Sequence, residues 1–169
     1  MMRILLRICL LGLAILSVSG AANAQVVALG ASTTAGQGVS SQDAYPAQLQ
    51  GLLKARGFAV TVSNAGISGD TTQGMLARLD SAVPQGTRVL ILQPGGNDRR
   101  KGVASVVPQV VAKLQARGIK VVMLENAMLH AIPREMHQPD GVHLTPAGYR
   151  LLAQRILPRV MAALGSRRG

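Results

Sequence analysis

Four short stretches hold the residues best suited to covalent chemistry. Ser32 stands in Gly30-Ala31-Ser32-Thr33-Thr34, directly after an apolar run. Asp140 and His143 lie three residues apart in Asp140-Gly141-Val142-His143. That spacing lets the carboxylate sit behind the imidazole and leaves the far ring nitrogen free for a hydroxyl. Gly69, in Ser68-Gly69-Asp70, offers a backbone N–H unshielded by any Cβ, and Asn97, in Gly95-Gly96-Asn97-Asp98, offers a side-chain amide. A nucleophile, a base, an acid to orient the base and donors for a developing oxyanion are the parts of a serine hydrolase. Singly, each has an ordinary explanation: a serine after a strand caps a helix, and an aspartate before glycine makes a turn. Their joint placement is what favours the chemical reading.

That placement follows from the elements expected around them. Val26 to Leu29 is an apolar run ended by Gly30, and Val89 to Leu92 is another, ended by Pro94-Gly95-Gly96. Phe58 to Val62 is β-rich and ends at Asn64-Ala65-Gly66, and Lys120 to Leu124 is a fourth strand. Between them, helical spacing of apolar residues predicts helices over Tyr45 to Arg56, Thr71 to Val83 and Val103 to Arg117, with Gly57 and Gly118 as stops. Thr145 and Pro146 open a last helix that runs to Leu164. Apolar strands alternating with amphipathic helices predict an α/β fold, a three-layer α/β/α sandwich on a flavodoxin-like parallel sheet of four strands. In such sheets ligands sit beyond the carboxyl ends of the strands, where all four polar stretches fall.

Other loop chemistries fit less well. Gly30, Gly36 and Gly38 do not make G-x-G-x-x-G, and no Gly-Lys-Ser/Thr follows, so a nucleotide cradle is unsupported. The G-x-S-x-G elbow of α/β-hydrolases is absent around Ser32. Asp70 and Asp98 are expected to anchor their loops. His130 and His137 have no partner at useful spacing and are expected at the surface or the rim of the cleft.

The stretches ALGASTTAGQGV, NAGISGDTTQGMLARLD, PGGND and DGVHLTPAGY resemble the SGNH (GDSL-type) hydrolases, in their arylesterase and thioesterase branch. The resemblance covers Val26 to about Arg100, then Asp140 to about Leu157. It implies Ser32 as nucleophile, His143 as base and Asp140 as the triad acid. It also implies Gly69, Asn97 and the Ser32 N–H as oxyanion donors. It further implies hydrolysis of carboxylic esters or thioesters, with no metal and no cofactor. The chain departs from the family pattern twice. Ala31 replaces the aspartate of Gly-Asp-Ser, and only Glu125 to Pro139 separate the fourth strand from Asp140. The short segment predicts a four-stranded core and a more open cleft. It also keeps a second reading in view, a non-catalytic module that binds acylated glycans or lipids.

The chain has 169 residues, 48% apolar and 15% charged, enough for one domain with its own core. Its one cysteine, Cys9, excludes an internal disulfide and Cys/His finger-type zinc sites. Arg3, Arg7, the apolar run Ile8 to Val18 and Ala22-Asn23-Ala24 have the layout of a secretory signal peptide over residues 1–24, cut after Ala24. The run is well short of the roughly 20 residues a membrane span needs. The expected product, residues 25–169, would be a periplasmic or secreted SGNH-like domain. Its formal charge falls from +11 to +9 once Arg3 and Arg7 are gone. With aromatics limited to Tyr45, Phe58 and Tyr149, a stacking surface for nucleic acid is not expected, and no specific nucleic-acid motif occurs. The expected partners are a small ester or acylated substrate and, through net charge, anionic envelope material.

Overall fold

A computed structural model describes residues 25–165. The expected leader, with Cys9, lies outside the described residues. Within them the elements run β1 (Val26–Gly30), α1 (Ser32–Ala35), α2 (Tyr45–Ala55), β2 (Val62–Gly66), α3 (Thr72–Ala77), α4 (Leu79–Ala82) and β3 (Val89–Gln93). There follow α5 (Asn97–Arg100), α6 (Val107–Ala116), β4 (Lys120–Met123), α7 (Asn126–His130), a 3-10 turn (Arg134–Met136) and α8 (Pro146–Leu164). The four strands are all parallel, in the order β2-β1-β3-β4.

Both faces of the sheet are covered, and the pleat explains why the inner strands are apolar throughout. On one face Val26 and Ala28 of β1, with Val89 and Ile91 of β3, pack under Leu49 and Leu53 of α2 and Leu152 and Ile156 of α8. On the other, Val27 and Leu29 with Leu90 and Leu92 pack under Met75, Leu79, Val110 and Leu114. Side chains alternate across a strand, so a strand buried on both faces has no polar position to spare. Val26 to Leu29 and Val89 to Leu92 are all fully buried.

Three boundaries differ from the pattern read in the sequence. Phe58 belongs to the end of α2 rather than to a strand. Its N–H bonds the Leu53 carbonyl at 3.0 Å and Gly57 N–H bonds Lys54 O at 3.0 Å, with Gly57 at φ 78°. That is a Schellman stop, so β2 starts only at Val62 and takes in Asn64 to Gly66, in register with Val26 to Gly30. The helix expected over Thr71 to Val83 breaks at Arg78 into α3 and α4. The helix expected from Val103 starts only at Val107, where Pro108 suits the first turn. The last helix matches its prediction, and the Thr145 hydroxyl accepts from Gly148 N–H.

Candidate active site

The carboxyl ends of β1, β2 and β3 release their loops onto one edge of the sheet. Ser32 opens α1 two residues beyond the end of β1, so its N–H has no partner inside the helix. The Gln93 side chain, buried at the end of β3, fixes this turn. Its Oε1 accepts from the Ala31 N–H at 3.0 Å and from the Thr34 hydroxyl at 3.1 Å. Gly30 is needed there, because a Cβ would overlap the Thr34 hydroxyl and the Gln93 amide. With no carboxylate at position 31, the turn is held through its backbone by an amide from the neighbouring strand, a contact that residue spacing does not reveal.

The loop after β2 is held by Arg78. Its Nε pairs with Asp70 Oδ2 at 2.8 Å, and its terminal nitrogen donates to Ala65 O at 2.9 Å and Gly30 O at 3.3 Å. One half-buried guanidinium therefore ties the ends of β1 and β2 to the segment that carries Gly69. Lys101 Nζ holds the same loop through Gly69 O at 2.7 Å. Gly69 has φ 77°, a backbone region that suits glycine. Arg78→Ala removes one donor from each of three acceptors, of which Gly30 O keeps the Ile67 N–H, and leaves the Asp70 carboxylate without its ion pair. We expect a loss of about 2–4 kcal/mol in urea unfolding, and a further loss of turnover from the displaced loop.

Asn97 opens α5 and is buried. Its Nδ2 donates to Asp70 O at 2.6 Å and its Oδ1 accepts from the Arg100 guanidinium. A carbonyl at one end and a guanidinium at the other allow one orientation of the amide, with the second Nδ2 hydrogen left for another acceptor. Asp98 anchors its surroundings, as its position predicts. Its carboxylate takes the Thr72 N–H at 2.8 Å and the Thr72 hydroxyl at 2.6 Å.

Asp140 and His143 form a compact unit before α8. Asp140 Oδ1 accepts the backbone N–H of Val142 and of His143, each at 2.9 Å, and Oδ2 takes the ring Nδ1 of His143 at 2.6 Å. The hydrogen bond to the ring, then those to the two backbone amides, lower the Asp140 pKa to about 2. With Nδ1 donating to Asp140, the lone pair of the neutral ring lies on Nε2. That atom is buried and has no hydrogen-bond partner. Gln138 ties this loop to the segment that follows Ser32, through Nε2 bonds to Leu144 O at 2.7 Å and Gln37 O at 2.8 Å.

A cavity of about 240 Å³ takes in part of this set. Ser32, Asn97, Gln93 and the Gly141-Val142 turn line it, as do His130 and His137. Those two histidines, expected at the surface or the cleft rim, are cavity-lining residues. Gly69, Asp140 and His143 are not in the wall, and Ser32 Oγ makes no bond to His143 Nε2, so the structure joins base to acid but not base to hydroxyl. The arrangement holds a free imidazole nitrogen, a cavity hydroxyl and an oriented amide, a set able to attack a carbonyl and hold the resulting oxyanion. Gln93, Arg78, Gln138 and Arg100 were not singled out by spacing, since each acts on backbone or amide groups brought close only by folding.

A sequence profile of the GDSL-like Lipase/Acylhydrolase family matches residues 28–138. The chain is 36% identical over 129 residues to esterase TesA of Pseudomonas aeruginosa, covering 73% of this chain and 64% of that protein. It is 34% identical over 116 residues to an arylesterase of Vibrio mimicus, covering 65% and 58%. It thus spans about three fifths of the length of these curated relatives. Among solved structures, the psychrotrophic esterase EstA of Pseudoalteromonas aligns with a TM-score of 0.72 at 20% identity, over 83% of this chain and 98% of that one. A crystal structure of TesA aligns with the same score at 25% identity, over 82% and 98%. These likenesses bear out the four-stranded α/β fold.

Proposed function

The chain belongs to the GDSL-like Lipase/Acylhydrolase family, and from that premise we propose that it is an exported serine hydrolase of carboxylic esters or thioesters. The observation that carries the reading is His143: its Nδ1 is bound to Asp140 at 2.6 Å while its Nε2 is buried and unpartnered. A buried ring nitrogen with no acceptor or donor is costly unless a group arrives to meet it. In this reading the Ser32 hydroxyl turns toward Nε2 when substrate enters, and its oxygen attacks the carbonyl carbon as the proton passes to the imidazole. The carbonyl electron pair moves onto oxygen, where the Ser32 N–H and the Asn97 amide are suited to receive it, and the Gly69 N–H joins them once its loop turns toward the cavity. Collapse of that intermediate expels the alcohol or thiol, which takes the proton from His143. Water then enters, gives its proton to His143 and attacks the acyl-serine. Breakdown returns the proton to Ser32 and frees the acid.

The binding-module reading is favoured by one feature, the missing Ser32–His143 bond. Labelling with a fluorophosphonate separates the two, since it requires an activated hydroxyl. Stable phosphonylation of Ser32, located by peptide mapping, supports the hydrolase; an unlabelled protein that still binds acylated ligands supports the module. The Asn97→Ala variant tests the oxyanion assignment. Removing one such donor is expected to lower kcat on an aryl butyrate by about 10²–10³-fold, with an unchanged circular dichroism spectrum. A drop below tenfold would take Asn97 out of that role. The leader proposed for residues 1–24 is tested by N-terminal sequencing of the exported protein, with Gln25 the expected first residue.

A further inference from the structure

The walls around Ser32 are cationic. Arg99 and Arg100 project from α5, the same short helix that carries Asn97, into the cavity shared with His130 and His137. A second cavity of about 600 Å³ shares His130, His137 and Gly141 with the first and adds Arg134. No carboxylate lines either cavity. Three nearby acids are engaged, Asp70 with Arg78, Asp98 with Thr72 and Asp140 with His143, and Glu135, next to Arg134 in the chain, lines neither cavity. None of the ion pairs among the described residues involves Arg99, Arg100 or Arg134.

A neutral acyl ester in this cleft would give the guanidinium donors nothing but water. A carboxylate or phosphate would meet planar forks that match its geometry, in a concave site that concentrates the field. Arg99 and Asn97 both line the cavity, so an anion held by Arg99 shares it with a carbonyl bound at the Asn97 amide. We propose that the cleft selects esters that themselves carry an anionic group, carboxylate or phosphate, near the scissile carbonyl, with Arg99 and Arg134 as the residues that bind that anion. This rests on Ser32 as the nucleophile, and it adds the substrate class. Arg100 is engaged with Asn97 and is left out of the assignment.

The test compares matched butyrates: 4-carboxyphenyl butyrate and 4-(butyryloxy)phenyl phosphate against neutral 4-carbamoylphenyl butyrate. At low salt, kcat/KM for at least one anionic ester is expected to exceed that of the neutral one by about tenfold, and the better of the two identifies the anion. Added salt should shrink the ratio, and the Arg99→Gln/Arg134→Gln variant should bring it close to one. Equal kcat/KM in the unmodified protein, or a preference unchanged in the double variant, overturns the proposal. Failure of the nucleophile reading shows separately, as no turnover of any ester. Calorimetry on the Ser32→Ala protein with N-(4-carboxyphenyl)butyramide and N-(4-carbamoylphenyl)butyramide then decides: tighter binding of the anionic amide supports the anion site, and equal binding refutes it.

Discussion

Ser32→Ala is expected to lower ester turnover by at least about 10⁴-fold and to abolish fluorophosphonate labelling. The argument is one of position. Three hydroxyls follow one another at the exit of β1, and they are not equivalent. The Thr34 hydroxyl is fully buried and donates to Gln93 Oε1. Thr33 is buried too, although it borders the cavity. Ser32 is half-exposed there, and a primary hydroxyl with no methyl on its Cβ turns more freely toward an incoming carbonyl. Label found on Thr33 instead of Ser32, or turnover that survives in the variant, would move the nucleophile. In the proposed mechanism hydroxyl and imidazole act as one unit, so adding His143→Ala to Ser32→Ala should cost almost nothing more.

Asp140→Asn is expected to lower kcat by about 10⁴-fold while the fold persists. The amide has the shape of the carboxylate, but its NH₂ can face the ring and donate to Nδ1. That forces the ring proton onto Nε2, and a protonated Nε2 cannot take the proton of Ser32. The native carboxyl titrates at about 2 because the ring and two backbone amides donate to it. With its folded pKa lowered, its contribution to holding the loop is present above the ordinary carboxylate range and is lost only as pH falls toward 2. Asp140 is therefore ionised at any pH well above 2. An Asp140→Asn loss under about tenfold would place the orienting acid elsewhere.

Much of this was legible from residue order, and the parts that were not share a cause. The fully apolar runs at Val26 and Val89 announce buried parallel strands, and Thr145-Pro146 announces α8, because these signals are local. Asp140-x-x-His143 is local as well, a turn in which three donors converge on one carboxylate. The break at Arg78 is different. Its helical face looks continuous from Met75 to Val83, yet its guanidinium reaches the ends of two strands. Gln93 organises the turn at Ala31 across 62 residues, and Gln138 reaches Gln37 across 101. A neutral glutamine carries no periodicity and no charge pattern, so nothing in its neighbourhood marks it. The helix that fails to form before Val107 belongs here too, since the Val106 N–H is taken by the Thr72 hydroxyl at 2.9 Å.

The packing of α2 against α8 has a kinetic consequence. One half of the core, built on Val26, Ala28, Leu49 and Leu53, gains its cover only when the final helix docks. During synthesis on the ribosome that greasy surface waits for nearly the whole chain to emerge. Contacts between such distant segments slow collapse to the native state. A polypeptide that must thread a translocon unfolded, as the proposed leader requires, is helped by that delay, and one whose last turns are deleted should aggregate rather than fold.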